Sequence, residues 1–267
     1  MKHALAILFL LFPLVADAGQ VTFCSSAAER MRGLVWCDDF RSQSRTEDNG
    51  GTITGAPTFS PSQGVTLDGA TDYIQYDLTG REFDSDPISI VVEFTPDFDY
   101  DEGVSRYLFQ AGDGAGNHDY RMHHGSGSNN FPLFLNATLI AAPSEATVGP
   151  YWLQSQRNVL VISATTGDTS VWLNGAVIVN GDATAWTASD ASDTLHVGSA
   201  VGGVSPFDGT IHSVKVFKAK LTADEAQQLY DQTVYHYLNQ ATAVYQFRIE
   251  DHDAGNHQTR DSTGRGN

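Results

Sequence analysis

The stretch that most constrains the fold is Phe207–Tyr230, FDGTIHSVKVFKAKLTADEAQQLY. Phe207-Asp208-Gly209 predicts a turn, and Ile211, Val214, Val216 and Phe217 follow in a run rich in β-branched and aromatic residues. From Val214 the run reads as alternating, with Val214 and Val216 on one face, Lys215 and Lys218 on the other, and Phe217 breaking the pattern. That is a strand with one buried face. Thr222 followed three residues later by Glu225 is a capping box, in which hydroxyl and carboxylate each satisfy an orphan backbone N–H. Leu221 and Ala226 are placed for the accompanying hydrophobic staple, and Ala226, Leu229 and Tyr230 have helical spacing. A long strand therefore runs into a two-turn helix.

The segments before it read as strands. Gly33–Phe40 is apolar and ends in Asp38-Asp39, and Arg41–Gly51 is polar and turn-rich, so it reads as a loop. Val65 and Leu67 alternate with Thr66 and Asp68, Gly69 turns the chain, and Tyr73–Tyr76 begins another strand. Ile88–Pro96 follows, then Ser105–Ala111, Asp119–His123 and Phe131–Asn136. Arg157–Ala164 and Thr169–Leu173 lead to Asn174-Gly175, a strong type I′ hairpin signal, with Ala176–Val179 returning. Thr194–Ser199 precedes the closing stretch. Strands arriving every 8–15 residues with turn signals between, as 25 glycines in 267 residues allow, are the rhythm of a β-sandwich.

The closing stretch resembles the laminin-G-like branch of the concanavalin A-like lectin/glucanase jelly rolls, where a G-x-I-D-x-[VF]-x-[IVF]-[YF] strand is followed by L-[ST]-x-x-E-[IA]-x-x-L-Y. Gly209, Ile211, Val214, Val216, Phe217, Leu221, Thr222, Glu225, Leu229 and Tyr230 match it. His212 stands where the family usually has Asp. A second match lies in GVTLDGATDYI, at Gly64, Leu67, Asp68, Gly69, Asp72, Tyr73 and Ile74, and a third in Val171-Trp172-Leu173-Asn174-Gly175. The resemblance implies an all-β, two-sheet antiparallel jelly-roll sandwich over residues 33–232, with a short C-terminal helix after the last main strand.

The ends carry other expectations. Lys2 and His3 precede an apolar stretch from Ala4 to Val15, and Ala16-Asp17-Ala18 reads as a cleavage site, so residues 1–18 form a secretory signal peptide. Residues 19–32 form a lead-in with a helical tendency. The two cysteines, Cys24 and Cys37, are expected to pair after export, a bridge worth about 3 kcal/mol if unstrained. Residues 233–267 read as an extension. Ala243–Arg248 is a short strand, and the segment resembles the start of a second repeat or a strand that pairs with a neighbouring copy.

The sequence also excludes and nominates chemistry. Fifteen basic against 32 acidic residues give a formal net charge of −17, which argues against a nucleic-acid partner. No second apolar segment predicts membrane insertion. The paired carboxylates that a glucanase needs on one strand face are missing, as are the arginine-rich and Q-I-H motifs of alginate lyases. Asp97, Asp99 and Asp101, with Glu102, come nearest, but Pro96 and Gly103 bracket them as a loop. The chain therefore reads as a non-enzyme.

Relatives implied by the resemblance often hold a structural calcium between the first strand and the closing one, which nominates Asp38, Asp39 and His212. Asp68/Asp72 and Asp97/Asp99/Asp101 are the alternative clusters. His118, His123 and His124 read as polar strand residues near a turn rather than as a metal set. For a sugar, which needs aromatic faces and planar polar groups, the candidates are Tyr120, Arg121, His123, Tyr151, Trp152 and Trp186. Trp36 and Trp172 read as core. Asn136-Ala137-Thr138 is a glycosylation sequon.

The function expected is a secreted, non-catalytic recognition module for carbohydrate or extracellular partners. The alternatives are a structural or assembly subunit that uses its C-terminal strand, and a polysaccharide hydrolase or lyase.

Overall fold

A computed structural model describes residues 33–79, 85–112, 118–125, 129–187 and 194–232. The expected signal peptide, the lead-in with Cys24 and the extension beyond 232 lie outside the described residues, and with them one end of the expected disulfide.

Among the described residues fifteen strands form two antiparallel sheets. The first is ordered β13(Ala176–Asp182), β12(Asp168–Leu173), β11(Asn158–Thr165), β6(Ile88–Pro96), β15(Asp208–Phe217), β4(Gly64–Asp68), β3(Thr58–Ser60), with β1(Leu34–Asp38) also pairing β15. The second is ordered β10(Thr138–Ala141), β9(Leu133–Leu135), β8(His118–His124), β7(Arg106–Gly112), β14(Thr194–Val197), β5(Tyr73–Asp77), β2(Gly51–Thr54). The inward faces enclose one core that includes Trp36, Tyr76, Phe94, Phe109, Tyr120, Leu160 and Val214. The fold class expected from sequence is the fold observed.

β15 is the hub. It pairs β6 along its length on one side, and on the other it pairs first β4 and then β1. Ile211 and Val214 both face the core although three positions separate them, which strict alternation forbids. The register shifts between Ile211 and Ser213, leaving His212 as the extra residue of a β-bulge.

Two expectations about this segment are corrected. Asp208 and Gly209 belong to the strand rather than to a turn, and a Cβ on Gly209 would lie 2.2 Å from the Thr95 carbonyl oxygen. Phe217 shares its face with Lys215, not with Val214. It does not break the alternation but is apolar because that outer face is covered. Phe217, Val91, Val159, Val161 and Trp172 pack there with Leu221, Ala226 and Leu229 of the helical segment.

α3, over residues 223–232, closes this face. Its capping box forms as expected: Thr222 N–H donates to Glu225 Oε2 (2.9 Å), and Glu225 N–H to Thr222 Oγ1 (3.3 Å). Asn174 and Gly175 both have positive φ, 52° and 78°, as a type I′ turn requires.

The Arg41–Gly51 loop is instead largely helical. α1(Gln43–Asp48) is capped by Ser42, whose Oγ accepts from Arg45 N–H, and one helical turn needs no apolar periodicity to announce it. The strand expected over Phe131–Asn136 is β9, and a turn with Asn136 and Ala137 both at positive φ returns the chain as β10. α2(Glu145–Val148) follows it.

Gly64 has φ +88°, and a Cβ there would stand 2.3 Å from the Ile211 carbonyl oxygen and 2.6 Å from His212 Cα. Gly64→Ala is expected to cost at least about 2 kcal/mol, from left-handed strain plus displacement of β4 from β15. Urea unfolding checks this, and parental stability would contradict so close an approach.

Candidate functional site

The two outer faces differ. α3 seals the first sheet, whereas the second sheet turns polar and aromatic side chains outward. Inward positions on its strands are Leu133, Leu135, Tyr120, Met122, Phe109, Ala111, Leu195, Val197, Ile74 and Tyr76, all core. Alternation then directs their neighbours outward. The register aligns those neighbours in one row across all seven strands: Leu139, Phe134, Arg121, Gln110, His196, Gln75 and Thr52.

Three ring contacts organise this face. Tyr107 and His123 stack with centroids 4.2 Å apart and planes 2° from parallel. The Arg121 guanidinium lies 3.7 Å from the Phe134 ring centroid and donates to the Tyr107 hydroxyl. Tyr73 stacks on His196 at 5.3 Å. The β14–β15 loop borders the row, with Val201 N–H donating to Gln110 Oε1 (3.2 Å) and Gly203 against the Tyr73 ring.

Two polar atoms here are buried without a hydrogen-bond partner, Nδ1 of His196 and Nε of Arg121. Burial holds both groups below their ordinary pKa, because the charged form loses its hydration.

The structure separates the six nominated sugar-binding residues. Arg121 and His123 share the open face. Tyr120, Trp152 and Trp186 point into the interior, 1%, 7% and 4% exposed, because their positions face the opposite sheet or a cluster of rings. Tyr151 is exposed, but it sits on a 3-10 turn (Gly149–Tyr151) whose Tyr151 carbonyl accepts from Asn174 of the first sheet. Tyr107, Phe134, Gln110, His196, Gln75 and Tyr73 were missed. Alternation within each strand was readable, but the register that joins them was not.

The nominated metal ligands are committed elsewhere. Asp38 Oδ1 accepts from Phe40 N–H (2.8 Å), and Oδ2 accepts from the Tyr76 hydroxyl (2.7 Å) and Asn49 Nδ2 (3.2 Å). Burial raises its carboxyl above the usual value against these bonds. Asp39 pairs with Arg41 and Arg45.

His212 Nδ1 faces the Gln63 carbonyl oxygen, which only accepts, so Nδ1 carries the proton. Nε2 then accepts from Thr95 Oγ1 (2.8 Å). Desolvation, with Arg157 nearby, lowers its pKa to about 3. A neutral imidazole and a carboxylate saturated by N–H and O–H donors do not fit calcium.

The alternative clusters are structural too, or unlike a metal set. Asp68 Oδ1 accepts from the backbone of Ala70, Thr71 and Asp72, which lowers its pKa to about 2, and Asp72 bonds Ala56 and Asp68 N–H. Among the described residues no three His, Cys, Asp or Glu side chains gather as a metal site would require. The ring nitrogens of His124 face the carbonyl oxygens of Val104 and Tyr100, and the His118 side chain lies outside the described residues.

The family model Laminin_G_3, of the concanavalin A-like lectin/glucanases superfamily, matches residues 68–227, more than half of the chain. The chain belongs to this superfamily.

Solved structures share the superfamily fold at low identity. Domain 4 of AbnA, a GH43 extracellular arabinanase from Geobacillus stearothermophilus in complex with arabinotriose, is 17% identical (TM-score 0.53), covering 74% of this chain and 98% of that one. The botulinum neurotoxin serotype D binding domain is 9% identical (TM-score 0.56), covering 75% and 52%. A Trypanosoma rangeli sialidase mutant with trans-sialidase activity is 15% identical (TM-score 0.51), covering 67% of this chain and only 29% of its own. A search of curated protein sequences returned no match. Superfamily folds thus serve enzymes and binding domains alike.

One feature of this superfamily member keeps an enzymatic reading in view. Phe98 and Tyr100 anchor the β6–β7 loop in the core, leaving Asp97, Asp99 and Asp101 exposed on one side. Asp99 and Asp101 join Ser144 and Glu145 around a shallow cleft of about 630 Å³. Burial, with Glu145 nearby, raises the Tyr100 hydroxyl pKa. Glu102 is instead held by Arg106 at 2.6 Å.

His212 makes a pH prediction. Unfolded, it takes up a proton near pH 6.5; folded, it does so only near 3. The folded state therefore binds fewer protons between these values, and stability falls as pH drops through that window. Asp38, raised by burial, has the opposite sign, so the His212→Gln comparison isolates the histidine. The variant's stability should depend on pH less steeply by about one proton between pH 4 and 6, read by denaturant titration.

Proposed function

We propose that this chain is a secreted, non-catalytic module that binds carbohydrate on the outer face of its second sheet. The observation that carries the reading is the seven-strand row, where stacked rings stand beside buried polar atoms with no partner. An unpartnered buried polar group costs about 1–3 kcal/mol. Sugar hydroxyls donate and accept, and their C–H faces stack on rings, so a sugar suits both features. The arabinotriose held by the arabinanase domain of the same fold supports this class of ligand.

Secretion rests on the leader at residues 1–18 and agrees with the finding that, among the described residues, no helix is long and apolar enough to cross a membrane. The assembly reading depends on residues 243–267, outside the described structure.

A polysaccharide panel tests the proposal. Binding is expected for at least one polysaccharide, and Tyr107→Ala, which removes the stacking partner of His123, should weaken it by about tenfold or more. Thermal unfolding should confirm that the variant stays folded. A chelator arm reads whether the calcium implied by resemblance takes part.

The acidic cleft favours a second reading, hydrolysis or lysis at Asp99 and Asp101. Product release from the same panel, abolished by Asp99→Asn, would replace the non-catalytic reading.

A further inference from the structure

We infer that the ligand of this face carries an oxyanion, a uronate carboxylate or a sulfate ester on a polysaccharide, and that Arg121 pairs with it. The inference rests on the carbohydrate reading above and adds the charge class.

Four of the five described arginines have a carboxylate partner. Arg41 and Arg45 share Asp39, Arg106 holds Glu102 and Asp208, and Arg157 holds Glu93. Among the described residues Arg121 has no ion-pair partner, in a chain where acidic residues outnumber basic ones by 32 to 15. Its row neighbours are Phe134 and Gln110, a ring and an amide. Its Nε is buried and unpartnered, while the Tyr107 hydroxyl interacts with the guanidinium.

A guanidinium does not escape desolvation by losing its proton, since it stays charged at any physiological pH. Desolvation already works against its charged form here. What relieves it is an anion that reaches the fork. A carboxylate or sulfate oxygen pair matches the spacing of adjacent N–H donors, and such charge-assisted bonds are the strong ones.

The free protein is prepared for that partner. The Phe134 ring beneath and the Tyr107 hydroxyl beside the guanidinium fix its plane, so little side-chain freedom is lost on binding. Gln110 and His196, next in the row, are buried against the β14–β15 loop and Tyr73, which leaves the half-buried Arg121 as the charged group at the edge of that packing.

The test uses the whole purified protein in calorimetry against polygalacturonate and alginate (uronates), carrageenan (sulfate esters), and neutral arabinan and xylan. At least one acidic polymer is expected to bind tenfold or more tighter than either neutral one, and the uronate and sulfate arms separate the two sources of the oxyanion. Arg121→Gln should abolish that preference, and Arg121→Lys should restore part of it.

A second readout needs no ligand. Arg121→Met removes an uncompensated charge, so the unliganded protein should melt at the same temperature or higher. A clearly lower melting temperature would show that the arginine supports the fold instead, and would overturn the inference. Equal or tighter binding of neutral polymers, or an acidic preference that survives Arg121→Gln, would overturn the charge class while leaving the carbohydrate reading standing. Failure to bind any polymer would overturn both.

Discussion

The bulge at His212 is the constraint on which the sandwich depends. β15 must put Ile211 and Val214 into the same core while changing partner along one edge, from β4 to β1. One inserted residue makes that parity change, and the inserted side chain is buried against Thr95 and Gln63 rather than in the core. An imidazole suits the position because it is both donor and acceptor. It donates a hydrogen bond to the Gln63 carbonyl and accepts one from the Thr95 hydroxyl, and the two are met together only while the ring is neutral. An aspartate there would present two acceptors to that same carbonyl. The departure from the family pattern at this position is therefore coupled to its surroundings, and it trades a hard-cation ligand for a neutral clasp between strands.

That hub also explains why the two outer faces differ. The chain leaves β15 at Phe217, on the side away from the core. The capping box then starts α3 so that Leu221, Ala226 and Leu229 land on Phe217, Val91, Val161 and Trp172. The first sheet thereby becomes hydrophobic on both sides over β6, β11, β12 and the end of β15, and that part offers no outer surface. Among the described residues the second sheet has no helix over it, and the β14–β15 loop covers only its centre, where Gln110 and His196 are buried. Its outward positions are free to be polar, and they are filled by planar groups, Arg, Gln, His and Tyr, rather than by the lysines and glutamates of an ordinary solvated face. Planarity is what stacks on, and hydrogen-bonds to, a flat ligand.

Particular residues show where the sequence was legible. Thr222 with Glu225 and Asn174 with Gly175 encode local geometry in local chemistry, so helix start and hairpin were readable directly. Gly64–Ile74 and Gly209–Tyr230 carried the family because a sandwich closes with strands that permit few substitutions. Gly209 was misread as a turn glycine, since closeness to the Thr95 carbonyl comes from a strand distant in sequence. The ring-bearing candidates failed for a related reason. Tyr120 and Arg121 are adjacent in sequence but on opposite faces, and composition cannot say which faces the core. His196 and Gln75 join Arg121 only through the register of three other strands, so no window of sequence contains the site.

The open face and the metal reading bear on each other through one physical rule: buried polar groups must be satisfied, and where they are satisfied they are occupied. Asp38 and His212 obey it fully, with every oxygen and nitrogen given to a protein partner, and such groups are structural. Arg121 and His196 break it, at an Nε and an Nδ1, on the sheet face that carries no helix among the described residues. Folding does not reward that arrangement, since an apolar residue of similar volume would fill either place at less cost. The groups are retained with their rings held flat and their directions fixed by Phe134, Tyr107 and Tyr73. Rigid, desolvated and incomplete side chains are the converse of a finished core, and a ligand is what would complete them.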